Sequence, residues 1–261
     1  MNRKCALKLL RGGPEGIQEW NRRVGELTET LDLRGADLQG QDLREAFLRG
    51  PLRSGIKIDL AEADLRAADL RKANLSTSNL EKANLAGAIL NRAAFRYTWL
   101  DGADLTGVDL RKTSMSDTDL RRVKLRNALL TGARFKGTCL IGADLAETDL
   151  SGTHFGNTEF GDADLRGVNL RHVDLFGSRF KEADLRGADL TGANVKNCHF
   201  DDTKLEGTIF TDAAFEWTIV SGVDLRKAIG LTLEQLNSSK WNKKTRFPAY
   251  LPSRPQKGQW I

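Results

Sequence analysis

From Leu60 to Leu225 every fifth residue is Leu, Phe, Met or Val, 34 times in succession. A step of five turns about 140° on an α-helix, which would scatter these side chains around the cylinder. On a straight strand five is odd, which would send them to alternate faces. Neither regular element buries them. A chain that turns one corner per repeat does, because every fifth side chain then points at a common axis and each short extended side lies on the coil before it. The pattern therefore predicts an all-β solenoid.

The residue two before each large one is Ala, Ser, Thr, Val or Cys in 33 of the 34 repeats, the exception being Ile58. One large and one small side chain are thus expected to point inward per repeat. Glycine stands two after the large residue in 13 repeats, where a corner demands unusual backbone angles. An earlier block has the same spacing at Leu33, Leu38, Leu43 and Leu48, and the twelve residues from Leu48 to Leu60 are two more than two repeats. The turn formers Gly50-Pro51 and Ser54-Gly55 in this gap predict a bulged loop over 49–57 carrying Arg49, Arg53 and Lys57, with a register reset beneath it.

Units such as Ala163-Asp164-Leu165-Arg166-Gly167 and Ala188-Asp189-Leu190-Thr191-Gly192 resemble the A(D/N)LXX consensus of the pentapeptide-repeat family over about residues 31–229. The resemblance implies a right-handed quadrilateral β-helix with four repeats per coil. At ~4.8 Å per stacked strand, nine to ten coils would make one elongated domain of roughly 45 Å.

Both ends are expected to carry short α-helical caps, because open coil edges invite pairing with other chains. Residues 1–28 form the N-terminal helical cap in this reading, with Ile17, Trp20, Val24 and Leu27 on one helical face and Pro14 in its first turn. The repeat body is 29–230. Residues 231–261 hold a second helix, for which Thr232 and Gln235 offer a capping box, and a basic tail in which Trp241 and Phe247-Pro248 lie across the last coil.

The formal charge of +5 divides unevenly. Residues 1–28 contribute +3 and 231–261 contribute +5, which leaves the body at −3. The three cysteines, Cys5, Cys139 and Cys198, have no metal-ligand spacing. Neither a secretion signal nor a membrane span is read, so the expected setting is reduced and cytoplasmic.

Candidate chemistry is judged by whether residues share a column twenty apart. Cys139 and His199 do, but three coils, ~14 Å, would separate them. His154 and Asp174 are one coil apart without a nucleophile, and read better as part of a polar ladder. No catalytic residue, cofactor or metal is expected. Asp or Asn precedes the large residue in 18 repeats, where its side chain can hold a corner. Arginines after the large residue, such as Arg66, Arg166 and Arg186, are expected to pair with these acids.

Two surface features exceed this account. Arg71, Lys72, Arg92, Arg111 and Lys112 fall on one face, with Asp69 and Asp109 as the nearby acids; the face is read first as solvated, and otherwise as a seat for an acidic partner or nucleic acid. Tyr97, Trp99, Phe176 and Trp217 occupy outward positions, and of these Tyr97 and Trp99 are chosen for a contact or for packing under the loop.

The functional expectation is a non-enzymatic scaffold binding a protein partner, with nucleic acid and membrane set aside. The resemblance also brings an alternative, the DNA mimics of the Qnr and MfpA type, which protect DNA gyrase from quinolones. Against it, duplex DNA of ~45 Å carries on the order of 26 negative charges. The acids Glu159, Asp162, Glu182, Asp201 and Asp202 speak for it. Those relatives dimerise through their C-termini, so an end-to-end dimer is compatible with the resemblance, although the basic tail departs from it.

Overall fold

In a repeat with Asp or Asn before its large residue, such as Ala163 to Gly167, all five backbone N–H groups are accounted for. In the computed structural model, which describes residues 1–51 and 55–255, the unit Ala163 to Gly167 is representative. Ala163 N–H closes a turn onto Phe160 O at 3.1 Å, and Asp164 N–H reaches back one coil to Ala143 O at 2.9 Å. Leu165 and Gly167 N–H reach forward to Asp184 O at 2.8 Å and Arg186 O at 3.0 Å. The fifth donor, Arg166 N–H, has no backbone acceptor and goes to Asp164 Oδ1 at 3.2 Å.

That bond explains the polar column in the sequence. All 18 Asp or Asn residues that precede a large residue accept the N–H two positions on, for example Asn84 from Ala86 at 3.1 Å and Asp189 from Thr191 at 2.9 Å. A buried or half-buried N–H left unmade costs more than the bond itself is worth, so the side chain completes the ladder.

The chain divides into two compact units, Met1–Arg134 and Phe135–Ile261. In the first, parallel bridges join Asp59, Asn79, Trp99 and Asp119 in turn; in the second they join Asp144, Asp164, Asp184 and Lys204. The interval of twenty residues makes four five-residue sides per coil in each unit. The large residues from Leu60 to Leu130 and from Phe135 to Leu225 are at most 2% exposed. The small residues beside them are buried as well, and several of their hydroxyls bond across coils: Thr118 Oγ1 donates to Phe95 O at 3.0 Å, and Thr208 Oγ1 to Leu185 O at 2.8 Å.

The corners use left-handed backbone. From Glu62 to Gly222 every residue two after a large one has positive φ, while the turn closes from the third residue on to the large residue's carbonyl, as a type II turn requires. Glycine supplies this conformation at 13 corners, and residues such as Lys72, His172 and Trp217 adopt it at the rest.

The first coil corrects the register read from sequence. Short strands β1 (Leu31–Asp32) and β2 (Ile58–Asp59) pair in parallel, and Asp37, Asp42 and Phe47 bridge Asp64, Asp69 and Asn74, an interval of 27 residues. The gap from Leu48 to Leu60 is therefore one side with seven extra residues, not two repeats with two. Gly50 pinches the base of this insertion, since a Cβ there would lie 1.7 Å from Ile56 O. Arg53 lies outside the described residues.

Helices α1 (Arg3–Leu10) and α2 (Gly13–Val24) lie against that coil. Ile17, Trp20 and Val24 are buried from α2; Leu27 is buried too, beyond the helix end. Carbonyls that would accept from a preceding coil are taken by side chains: Asp32 O from Arg3 at 3.1 Å, Asp37 O from Arg11 at 2.6 Å, and Phe47 O from Trp20 Nε1 at 3.0 Å. In the second unit α3 (Leu233–Asn237) begins at Thr232 with both bonds of the capping box. Gln235 Nε2 then donates to Phe210 O at 3.1 Å and Ala213 O at 2.8 Å.

The tail does more than lie across the last coil. Ser239, Lys240 and Trp241 repeat the small, outward, large order of a side, and Thr245, Arg246 and Phe247 repeat it again. Val220 N–H donates to Lys240 O at 2.8 Å, Leu225 N–H to Arg246 O at 2.7 Å, and Thr245 Oγ1 to Val220 O at 2.9 Å. The rings of Trp241 and Phe247 meet edge-on at 5.1 Å. Among the described residues, no helix is long and apolar enough to cross a membrane.

Candidate interaction surfaces

On the outer face of the first unit, Asp69 and Asp109 sit at the corner-holding position, so the arginine two residues on is placed to clamp each carboxylate. Arg71 does so through Nε at 2.9 Å and Nη2 at 2.6 Å, and Arg111 through the same atoms at 2.9 and 2.7 Å. The donated bonds hold both carboxylates below the ordinary aspartate range. Lys72 reaches Glu45 at 2.9 Å, an acid that the 27-residue register brings alongside and that equal spacing would have placed elsewhere. Arg92 and Lys112 extend to solvent with no ion pair among the described residues. The five cations thus share one face, with three of them charge-neutralised.

The same fork recurs at Asp64 with Arg66, Asp164 with Arg166, Asp184 with Arg186 and Asp224 with Arg226, each with an Nη2 contact of 2.6 Å. Pairing runs within a repeat, two residues apart.

The aromatic candidates divide between the units. Trp99 is 38% exposed and lies beneath Lys57, the last residue of the insertion, whose Nζ is 3.4 Å from the ring centroid. Tyr97 is 53% exposed, with Arg96 at 4.8 Å over its ring and Arg96 Nη2 donating to its hydroxyl at 3.0 Å. In the second unit Phe176 and Trp217 are exposed and belong to coils two apart, so they form no common patch. Lys240 Nζ stands 5.8 Å from the Trp217 ring.

Polar residues weighed as chemistry are spent on structure. Asp174 Oδ1 accepts from Phe176 N–H at 3.2 Å and Asn194 Nδ2 at 2.8 Å. Three successive bridges separate Cys139 from His199. Of the acids in the second unit, Glu159 is paired with Arg179 at 2.8 Å and Glu182 lies 3.4 Å from Lys181.

With this geometry in view, comparison with known proteins is direct. The description of a pentapeptide repeat region matches residues 133–210, and that of pentapeptide repeats in eight copies matches 58–93 and 88–127. The chain belongs to the pentapeptide-repeat family. Among solved structures it is similar to full-length QnrB1, a plasmid-mediated fluoroquinolone resistance protein, at 21% identity over 57% of this chain and 79% of that one, with a TM-score of 0.37. HetL, from the cyanobacterium Nostoc and involved in heterocyst differentiation regulation, is 24% identical over 79% and 96% of the two chains, with a TM-score of 0.30. A pentapeptide repeat protein of the Arabidopsis thaliana thylakoid lumen is 26% identical over 42% and 69%, with a TM-score of 0.24. None of the curated proteins compared matches this chain.

Proposed function

We propose that the chain is a non-enzymatic scaffold, wound in the right-handed sense that the family resemblance implies, capped by its terminal helices, and binding a cytoplasmic protein through outward side chains. The observation that carries this reading is the pair of bulky aromatics at left-handed corners. Tyr97 has φ 57° and Trp217 φ 62°, positions where glycine is the unstrained choice, and both rings are more than half exposed. Strain borne without burial is a cost that a contact made elsewhere would offset.

The gyrase-directed DNA-mimic alternative has less support. Several acids that could imitate phosphates are clamped by arginines of the same repeat, as at Asp64, Asp69, Asp164 and Asp184, and of the acids that speak for the mimic Glu159 is paired with Arg179. Affinity capture with the intact protein and with Tyr97→Ser and Trp217→Ser variants, read by mass spectrometry, tests the scaffold reading. A protein recovered by the parent and lost from either variant supports it. Recovery indifferent to both substitutions counts against it, and inhibition of gyrase in a supercoiling assay would favour the alternative.

A further inference from the structure

We propose that the basic C-terminal end of the second unit binds single-stranded nucleic acid, cations to phosphate and the exposed Trp217 ring to a base. This goes beyond the scaffold reading and does not depend on it. Residues 231–261 hold six Lys or Arg against one acid, whereas the repeat body is net acidic. In the body nine of the eighteen arginines are held by an aspartate two residues back. The tail has no such acids: Lys243, Lys244 and Arg254 are exposed with no ion pair among the described residues, and Arg246 stands 3.9 Å from an Asp224 that Arg226 already holds at 2.6 Å.

These cations do not sit on a loose arm. Lys243 and Lys244 occupy a turn closed by Thr245 N–H to Asn242 O at 3.0 Å, and Asn242 Oδ1 accepts Lys244 N–H at 3.0 Å, the corner device of the repeats. Arg246 follows on a side paired to the coil beneath through Arg246 N–H to Val223 O at 3.0 Å. A shallow groove of about 450 Å³ then places Arg246 and Arg254 on the same walls as Phe247 and Pro248. A pair of guanidiniums on one groove suits a phosphodiester, while Phe247 is half-buried against Trp241 and the ring left for a base is that of Trp217. Trp217, 58% exposed, adjoins the start of the tail: its N–H donates to Ser238 O at 3.0 Å and Lys240 Nζ stands 5.8 Å from its ring. An acidic peptide would use the charges but not the Trp217 ring, and duplex DNA would offer that ring no free base face. The single strand uses both.

The test is fluorescence anisotropy of the full chain with a labelled oligothymidylate of about twenty nucleotides across a salt series. Binding is expected to weaken at least about tenfold in the Lys243→Glu/Lys244→Glu variant, and the salt slope of the milder Lys243→Gln/Lys244→Gln variant to fall by about 1.4, at ~0.7 per lost phosphate contact. Trp217→Ala should cost about tenfold through lost stacking. Arg92→Glu/Lys112→Glu, on the other unit, should leave affinity unchanged. The proposal is overturned by any of four results: no binding at low salt, equal loss in the Arg92/Lys112 variant, a polyglutamate peptide bound in preference to the oligonucleotide, or duplex bound as tightly as single strand with Trp217→Ala silent. Melting curves of the variants that match the parent's exclude unfolding as the cause.

Discussion

Asp184 Oδ1 accepts both the backbone N–H of Arg186 at 3.2 Å and its Nε at 2.8 Å, while Oδ2 takes Nη2 at 2.6 Å. One carboxylate therefore closes the backbone account of its repeat and holds the neighbouring cation. The two roles separate by substitution. Asp184→Asn keeps the acceptor for the turn N–H, as Asn169 and Asn194 do in their own repeats, and loses only an exposed ion pair worth about 0–1 kcal/mol. Asp184→Ala loses the backbone bond as well, and is expected to cost about 1 kcal/mol more in urea unfolding.

The forks also set the response to acid. Hydrogen bonds from the arginine two residues on hold Asp42, Asp64, Asp69, Asp109, Asp184 and Asp224 below the ordinary aspartate range. A carboxylate whose pKa is lower folded than unfolded stabilises the fold above the unfolded value of about 3.9, and that contribution is lost as pH falls through the folded value. The melting temperature should therefore be level with respect to these groups above about pH 5 and drop below about pH 4. High salt should shrink the drop by screening the exposed pairs. A melting temperature that rises on acidification would contradict the assignment.

How far the sequence reveals this fold depends on which residues repeat. Leu165, Leu170 and Leu175 announce a chain that turns every five residues, and all three are buried. The corner role of Asp164 is likewise legible, because Asp and Asn bond readily to nearby backbone. The seven-residue insertion is not: Ile58 mimics the spacing of the array, so the missing side between Leu48 and Leu60 reads as an extra repeat until β1 and β2 fix the register. The same error conceals Glu45 as the partner of Lys72. In the tail, six residues separate Trp241 from Phe247 instead of five, and that single insertion hides two further sides. The signal was present in Ser239 before Trp241 and Thr245 before Phe247, each two residues ahead of a large ring.

Phe180 stacks between Phe160 and Phe200, with ring centroids 4.9 Å away on both sides. Truncation to alanine removes both contacts and leaves a void that the coils above and below cannot collapse without breaking their bridges. Phe180→Ala should cost about 3–5 kcal/mol. Phe180→Leu should cost less, about 1–2 kcal/mol, since leucine fills the equivalent site in most repeats. Urea denaturation measures both; a negligible cost for Phe180→Leu would mean that ring stacking contributes nothing, and equal costs would mean that filling the void does not matter.

Cys198 takes the small inward position of its repeat, where its thiol donates to Leu175 O at 3.0 Å and burial pushes its pKa up to about 12. A thiol that hardly ionises is a poor nucleophile. Native protein should give up Cys5 and Cys139, both partly exposed, to a thiol reagent at pH 8, and retain Cys198 until it unfolds. The rate of that third reaction then reports opening of the coil. Thr or Ser at the same site, as at Thr218 and Ser178, preserves the bond to the carbonyl of the preceding coil, so Cys198→Thr should unfold within about 1 kcal/mol of the parent.

Trp217 offers the sharpest separation of stability from contact. Its left-handed backbone costs a non-glycine residue about 1–2 kcal/mol, whereas glycine at the same corner gives back about 0.5–1 kcal/mol in chain entropy. The ring contributes little to the fold in return, being 58% exposed with Lys240 5.8 Å from its centroid. Trp217→Gly is therefore expected to be neutral or stabilising by up to about 1 kcal/mol, matching the glycines at Gly177 and Gly187. If the same variant loses a binding partner that the parent retains, the strained corner is held for that partner. A clear loss of stability would instead make Trp217 part of the packing that seats the basic tail.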